Sequence, residues 1–256
     1  MKLLLLVVGL LCLATSAFAL DPFQTIFSTN FDSPAFTTGD QAVAHGWVVT
    51  AGDASRAVIA ADPTNSANQM LNIIGDGTET VNYAFPLVSA GEHVRLSYDY
   101  LIGAGSSLGT NANADAQGGA WVMLTTPGYT RASLVGAIYD SNNGVWVYRA
   151  FDNARGWIKL YDIIPNENEW HRISVDLDLA ASTFTMSIDG NQVNDTFKFY
   201  NVTTHAVGNI QIYKRYIVGT YGFDNIVLEA TPEPGSILAL GCGLVGMIGF
   251  AIRRRK

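Results

Sequence analysis

The residues of this sequence that could perform catalysis are acidic. Glu167 and Glu169 stand two positions apart, and side chains at that spacing on a β-strand share one face. Two carboxylates that face each other across a cleft can act as acid and base in glycoside hydrolysis. Residues 165–169 are nevertheless polar and typical of a turn that leads into a strand. We therefore expect a non-enzymatic protein, with a polysaccharide-active hydrolase as an alternative.

Other catalytic and cofactor-binding patterns are absent from the sequence. The four histidines lack the spacing of a zinc site, and no serine lies in a Gly-x-Ser-x-Gly elbow. Gly241 to Gly246 has the letters of a dinucleotide-binding glycine motif. That motif needs a preceding strand and a following helix packed on a sheet, whereas these glycines lie inside a long apolar segment. We interpret them as part of a membrane helix.

Aromatic side chains are the feature that favours ligand binding. Trp146 and Tyr148 share one face of a predicted strand, and Trp157 and Tyr161, four positions apart, share a face of the next. Flat rings stack on the C–H faces of sugars, so these four residues form the candidate glycan platform, and Tyr213 and Tyr216 could lie nearby. The alternative is that they pack in the core, because both sheets of a sandwich need large apolar side chains.

The charge balance excludes nucleic acid as a partner. The 256-residue chain has 15 Lys and Arg against 22 Asp and Glu, a net charge of −7. Five of the basic residues, Lys2 and 253–256, lie at the two ends, so the middle is more acidic still. Phosphate backbones require clustered cations. Cys12 and Cys242 also belong to the end segments, so the middle has no disulfide and no thiol chemistry.

The middle of the chain alternates between apolar and polar residues, which is the pattern of half-buried β-strands. Asn143-Gly144 and Asp189-Gly190 are predicted to be tight hairpin turns, because both central positions of a type I′ turn need positive φ. Residues 20–230 are long enough for one all-β domain, and the pattern predicts a two-sheet antiparallel sandwich. The predicted strands are 24–28, 47–50, 70–74, 78–85, 93–101, 121–125, 134–139, 145–150, 157–163, 172–179, 183–188, 207–213 and 222–228.

Residues 1–19 are predicted to be a secretory signal peptide. Lys2 supplies a positive charge, residues 3–13 are apolar, and Ala17-Phe18-Ala19 offers the small residues that a signal peptidase accepts. Cleavage would begin the mature chain at Leu20 and export it.

The C-terminal segment is predicted to cross a membrane once. Residues 236–252 carry no charge, and a helix of that length spans roughly 25 Å, which is short but sufficient. The basic residues 253–256 should stay cytoplasmic by the positive-inside bias. We expect a precursor that is tethered in the inner membrane with its domain outside.

The same segment resembles the PEP-CTERM sorting signal. Pro232-Glu233-Pro234 comes first, the apolar span follows, and Arg253, Arg254 and Arg255 close it. The resemblance implies recognition by an exosortase, a membrane protease, and delivery to the cell surface or extracellular matrix. It also implies a bacterium in which such proteins accompany exopolysaccharide or biofilm matrix.

The middle is similar, more loosely, to concanavalin A-like or laminin-G-like jelly rolls and to carbohydrate-binding modules. The segments that carry the similarity are 169–175, the turn at 188–190 and the strand 222–228. The resemblance implies a jelly-roll sandwich with a structural Ca²⁺ held by an acid of the final strand and one near the N-terminus. Asp224 and Asp32 occupy those places, and carboxylate oxygens suit this ion. The alternative is that both are ordinary acids at turns and strand ends.

Three hypotheses for the function follow. The leading one is a lectin-like surface protein that associates with exopolysaccharide. The second is a purely structural surface protein without glycan binding, and the third is the hydrolase that Glu167 and Glu169 would serve.

Overall fold

The computed structural model describes residues 23–75, 77–89, 92–109, 118–160 and 162–231. The predicted signal peptide, Tyr161 and the sorting segment from Pro232 onward, with its membrane helix 236–252, lie outside these residues. Across the described ranges, no helix has both the length and the apolar character that a membrane span requires.

Within those ranges the chain forms eighteen strands and two short 3-10 helices. The helices are Ala42–His45 and Ala54–Arg56. The strands are β1 (Gln24–Thr29), β2 (Val48–Ala51), β3 (Ala57–Ala61), β4 (Gln69–Ile73), β5 (Thr78–Ser89), β6 (His93–Ile102), β7 (Ser107–Leu108), β8 (Gly119–Thr125), β9 (Val135–Asp140), β10 (Val145–Asp152), β11 (Gly156–Leu160), β12 (Trp170–Asp178), β13 (Thr183–Ile188), β14 (Asn191–Gln192), β15 (Phe197–Lys198), β16 (Ala206–Arg215), β17 (Ile217–Val218) and β18 (Tyr221–Ala230).

The strands form two large antiparallel sheets. Sheet A has the order β14-β13-β12-β6-β18-β4-β3, with β1 paired to β18 and β15 paired to β13. Sheet B has the order β11-β10-β9-β8-β16-β5-β2, and β17 and β7 make a small separate pair. Non-consecutive neighbours such as β6 and β18 show that the chain crosses repeatedly between the sheets. The predicted all-β, two-sheet antiparallel sandwich is confirmed.

Alternation along the strands builds the core between the sheets. In β12 the side chains of Ile173, Val175 and Leu177 are buried, while the residues between them are partly exposed. The neighbouring strand β6 also directs apolar side chains into this core. Strands β8, β10 and β16 supply the facing apolar residues from sheet B. Each buried side chain of this size stabilises the fold by roughly 1.5–3 kcal/mol.

The two predicted hairpin turns differ in the structure. Asp189 and Gly190 both have positive φ, 52° and 77°, which confirms the tight turn between β13 and β14. Between β9 and β10 only Gly144 has positive φ, and the backbone N–H groups of Asn143 and Gly144 both donate to the carbonyl of Asp140. The Asp140 carboxylate also accepts from Asn142 and Asn143. This side chain therefore favours a four-residue loop over the two-residue turn that the sequence predicts.

Candidate functional site

The outer face of sheet B carries a second apolar cluster, separate from the main core. Trp121, Met123 and Val147 belong to it, and Phe151 and Tyr213 pack against it. These residues alternate along β8, β10 and β16 with neighbours that join the main core. An antiparallel sheet usually presents polar residues on its outer face. Trp121, Met123 and Val147 are themselves buried, at 5% exposure or less. The exposed aromatic rings of this face are those of Trp157 and Tyr200.

Five aromatic rings in successive contact lie on this face, and we call this group the aromatic strip. Its members are Tyr200, Phe151, Trp157, Trp121 and Tyr213. The centroid distances between successive rings are 4.5 Å, 5.4 Å, 5.9 Å and 5.6 Å. None of these rings is stacked face to face, which matches the offset and tilted geometry that aromatic pairs prefer.

Two arginines lie over the aromatic strip. The guanidinium carbon of Arg149 is 4.5 Å from the ring centroid of Trp157. That of Arg131 is 5.5 Å from the Tyr200 centroid and 5.8 Å from the Tyr213 centroid, so Arg131 bridges the two ends of the strip. Cation–π contacts of this kind contribute about 0.5–2 kcal/mol each. They hold positive charge against an apolar surface.

Gly136 leaves space for the Trp121 side chain in the aromatic strip. This residue lies on β9, directly opposite Trp121 on one side and Arg149 on the other. It has no side chain, so the indole of Trp121 can reach past β9 and β10 to contact Trp157 on β11. A Cβ at position 136 would meet the carbonyl oxygen of Ala120 at 2.0 Å. Only glycine therefore fits here without backbone movement.

The structure divides the predicted glycan platform between two faces. Trp146, 4% exposed, and the fully buried Tyr148 belong to the main core, which corrects their predicted place on a binding surface. Trp157 is 38% exposed and lies on the outer face with Tyr213. Tyr161 lies outside the described residues. The physical reason is the two-residue period of a strand, because Trp146 and Tyr148 point opposite to Phe151, the register partner of Trp157.

A polar row continues the outer face beyond the strip. The Gln211 amide donates to the Asn82 side-chain oxygen at 2.8 Å, and the Asn82 amide donates to the Thr50 hydroxyl at 2.7 Å. These side chains stand on β16, β5 and β2, so they cross three neighbouring strands. Asn209, one register step away, donates to the carbonyl of Thr126 at 2.7 Å. All three amide side chains are buried, and these hydrogen bonds satisfy them within the sheet.

The predicted calcium residues lie in one polar region of sheet A. Asn68 donates to Asp224 Oδ2 at 3.1 Å, and the next backbone N–H, of Gln69, donates to Asp32 Oδ1 at 3.4 Å. Asp224 is 2% exposed, and burial raises its pKa to about 6, with the charges of Asp32 and Asp99 adding to the effect. The negative charge of Asp32 is thus close enough to contribute to the raised pKa of Asp224.

The donor set in this region fits a hard cation in type. The side-chain oxygen of Gln69 is buried and has no hydrogen-bond partner among the described residues. It could join the carboxylates of Asp32 and Asp224, because Ca²⁺ takes amide and backbone oxygens as well as carboxylates. In the described part of the chain, no group of three or more His, Cys, Asp or Glu is arranged for a metal. A calcium shell here would therefore depend on such amide oxygens.

Glu167 and Glu169 serve the loop before β12. Glu167 accepts from the backbone N–H of Gly105 at 2.9 Å, and Glu169 accepts from the Asn166 amide at 2.8 Å. The backbone of Asn168 donates to the carbonyl of Ile102 at 2.7 Å. Glu169 thus makes the local contact of a turn that leads into a strand, and Glu167 ties this turn to the loop after β6. The absence of catalysis stays a prediction.

The fold and the chain end together define the class of protein, a β-sandwich that carries a sorting tail. Residues 230–256 match the PEP-CTERM protein-sorting motif, which confirms the predicted resemblance at Pro232, Glu233, Pro234 and the Arg-rich end. The motif implies an exported, membrane-sorted surface protein that an exosortase processes. No curated protein sequence matches the chain.

Solved structures share the sandwich at low sequence identity. The Trypanosoma cruzi calreticulin globular domain has a TM-score of 0.53 and 11% identity, over 85% of this chain and 92% of that chain. A sialidase has a TM-score of 0.50 and 12% identity over 75% of this chain, which spans 19% of the sialidase. Carbohydrate-binding module CBM66 from Bacillus subtilis has a TM-score of 0.44 and 14% identity, over 72% and 95% of the two chains. At these identities the likeness shows the fold alone.

Proposed function

We propose that this protein is exported, sorted by an exosortase and held at the cell surface or in the matrix, where its jelly-roll β-sandwich binds exopolysaccharide. The observation that supports this function is the aromatic strip on the outer face of sheet B. Sugar rings present flat C–H faces, and the partly exposed rings of the strip, Trp157 and Tyr200, offer stacking positions for them. We expect the protein to be non-enzymatic.

The composition of the strip favours binding over a purely packed surface. Trp157 and Tyr200 are 38% and 40% exposed, so parts of both rings can be covered by a ligand. Trp, Tyr and Arg are the residues that dominate binding energy at protein interfaces. Arg149 and Arg131 fix the rings from above, and fixed rings lose less entropy when a ligand stacks on them.

Gel retention of the full chain, purified in mild detergent, tests the proposal. We expect an exopolysaccharide gel to retard the wild-type protein and Trp157→Ala to remove most of that retardation with the sandwich still folded. Val43→Ala is the matched control, because Val43 is similarly exposed but lies in the first 3-10 helix, outside the strip. Wild-type protein that passes every polysaccharide gel unretarded would favour the purely structural surface protein.

The hydrolase alternative has a separate readout. Release of reducing ends from a polysaccharide panel, lost in Glu167→Gln or Glu169→Gln, would favour it. We expect no release, because both carboxylates already accept hydrogen bonds, Glu169 inside its own loop and Glu167 from the loop after β6.

We also propose that Asp32, Asp224 and the side-chain oxygen of Gln69 hold a structural Ca²⁺. The support is the buried, partner-free side-chain oxygen of Gln69, a residue whose backbone N–H donates to Asp32, together with the raised pKa of Asp224. The ion would supply charge neutralisation and would tie the start of the sandwich to its last strand.

A further inference from the structure

A pocket of about 450 Å³ opens at the Tyr200 end of the aromatic strip. It is formed by three loops that are distant in sequence, those after β8, after β10 and before β16. Its lining residues are Tyr129, Thr130, Arg131, Asn153, Tyr200, Asn201 and Val202. The volume lies within the range of about 300–1,000 Å³ that small-molecule sites occupy. The sequence does not predict the pocket, because apolar and polar residues follow no periodic pattern in these three loops.

The pocket presents two aromatic rings and an apolar side chain to solvent. Tyr129 is 46% exposed, and Tyr200 and Val202 are exposed to a similar degree. Tyr129 has a φ of 62°, a left-handed conformation that is unusual for a bulky residue. The turn enforces it, since Tyr129 N–H donates to the Thr126 carbonyl and Thr126 N–H donates to the Thr130 carbonyl, both at 2.9 Å. Such enforced backbone strain clusters at binding sites.

Hydrogen bonds between the loops hold the pocket in shape. The backbone N–H of Tyr200 donates to the Ala132 carbonyl at 2.9 Å, and that of Asn201 donates to the Arg131 carbonyl at 3.2 Å. The Asn201 side-chain oxygen accepts from the Thr203 hydroxyl at 2.7 Å. Because these hydrogen bonds fix the loops, a ligand would meet a preformed site.

Arg131 is the charged group of the pocket. Its guanidinium is held by the rings of Tyr200 and Tyr213, and it makes no ion pair with any residue that the structure describes. The neighbouring Arg155 differs, because it binds the carboxylates of Asp152 and Asp195. An arginine that is positioned by rings and lacks an acid partner is suited to a carboxylate from a ligand, which it can bind through two parallel hydrogen bonds.

We propose that this pocket selects an acidic sugar, a uronic acid residue of the polysaccharide, with its carboxylate on Arg131. The sugar ring stacks on Tyr129 or Tyr200, and the amides of Asn153 and Asn201 take its hydroxyls. This inference rests on the proposed glycan binding and adds the substrate class. The net charge of −7 does not oppose it at contact, because charges further than about 8 Å away are largely screened at physiological ionic strength.

The test compares an oligogalacturonate with its fully methyl-esterified form, in which a methyl group on each carboxyl removes the charge. Binding to the full chain in detergent is measured by calorimetry for wild type, Arg131→Gln and Arg95→Gln. Arg95 is the matched control, because it loses the same charge on sheet A, where it pairs with Asp176. Thermal melting of each variant checks that the sandwich is intact.

We expect wild type and Arg95→Gln to bind the acid roughly tenfold more tightly than the ester, and Arg131→Gln to bind both equally. Arg131→Lys should keep part of the preference for the acid, because lysine keeps the positive charge but cannot donate two parallel hydrogen bonds to one carboxylate. Equal binding of acid and ester by wild type overturns the acidic-sugar inference while leaving glycan binding in place. Wild-type protein that binds neither probe, nor any gel of the polysaccharide panel, overturns the proposed function itself.

Discussion

Trp146 and Trp157 lie on adjacent strands of sheet B and face opposite sides of it. Trp146 packs edge-on against Tyr139 and Tyr221 between the sheets, at centroid distances of 5.3 Å and 5.7 Å. Trp157 lies on the outer face, against Trp121 and Phe151. The same residue type therefore has two roles in neighbouring strands, and substitution separates them.

Trp146→Ala should unfold the domain far more readily than Trp157→Ala. Loss of a buried tryptophan costs about 3–5 kcal/mol through the cavity that it leaves. Loss of Trp157 removes a partly exposed ring, so we expect a smaller cost of about 1 kcal/mol or less. Chemical denaturation of both variants measures the difference. Equal destabilisation would contradict the assignment of the two faces.

Gly136→Ala should destabilise sheet B and disturb the strip. The added Cβ would meet backbone atoms of Ala120 and Trp121, which cannot move independently of the β8–β9 pairing. Overpacking of this kind costs about 1–3 kcal/mol. Thermal melting measures that cost, and tryptophan fluorescence reports whether Trp121 shifts. Gly156→Ala is a useful comparison with open space around the Cβ, although its φ of 77° adds some strain of its own. An unchanged melting temperature for Gly136→Ala would show that the strip does not depend on this close approach.

Asp152 should make the domain sensitive to acid. Burial alone would raise its pKa, but hydrogen bonds from Arg155 and from the backbone N–H groups of Lys198, Arg155 and Ala154 lower the pKa to about 2. An aspartate in the unfolded chain titrates near 3.9, so the folded state is favoured by about 2–3 kcal/mol above that pH. This stability is fully present above about pH 4 and is lost as the pH falls towards 2.

The measurement is the difference in unfolding free energy between wild type and Asp152→Asn at several pH values. We expect the difference to be largest at pH 5–7 and to shrink steadily below pH 4. Because Asp152 ties the turn at 154–155 to β15, beside the pocket, the variant should also bind glycan less tightly. A difference that stays constant from pH 6 to pH 3 would mean that the carboxylate charge is not what stabilises these loops.

The sandwich could be predicted from the sequence because its strands obey one local rule, the alternation of apolar and polar residues. β12 shows why, since Ile173, Val175 and Leu177 alternate with polar residues and leave no doubt about the inward face. In β10 the rule fails, because Val145 and Val147 are as apolar as Trp146 and Tyr148. Apart from Arg149, both faces of that strand are apolar up to residue 151, so the sequence could not tell which aromatic residues meet the core.

The pocket and most of the strip could not be predicted for a different reason. Tyr129, Asn153 and Tyr200 are far apart in the chain and meet only because the loops of sheet B come together at one end. Tyr200 follows a two-residue strand and belongs to no periodic run. Long-range pairing, which is a property of the whole fold, places such residues. The one usable signal was the density of aromatic residues around 146–161 and at Tyr213.

Calcium should stabilise the domain at neutral pH, and Asp224 should be responsible. Its folded pKa of about 6 exceeds the value near 3.9 of an unfolded chain, so its contribution to stability is fully present below about pH 4 and is lost as the pH rises through 6. At pH 7 the buried charge therefore costs up to about 3 kcal/mol, which a bound cation would offset.

A ligand at 100 times its Kd adds about 2.7 kcal/mol, so we expect millimolar Ca²⁺ to raise the melting temperature by roughly 5–10 °C and a chelator to reverse it. Asp224→Asn should melt no lower than wild type without Ca²⁺ and should not respond to the ion, whereas Asp176→Asn, which changes the same charge elsewhere on sheet A, should respond like wild type. If the wild-type protein melts at the same temperature with Ca²⁺ and with chelator, then Asp32 and Asp224 are only strand-end acids and the cost of burying Asp224 is met by Asn68 and the backbone of Asn225.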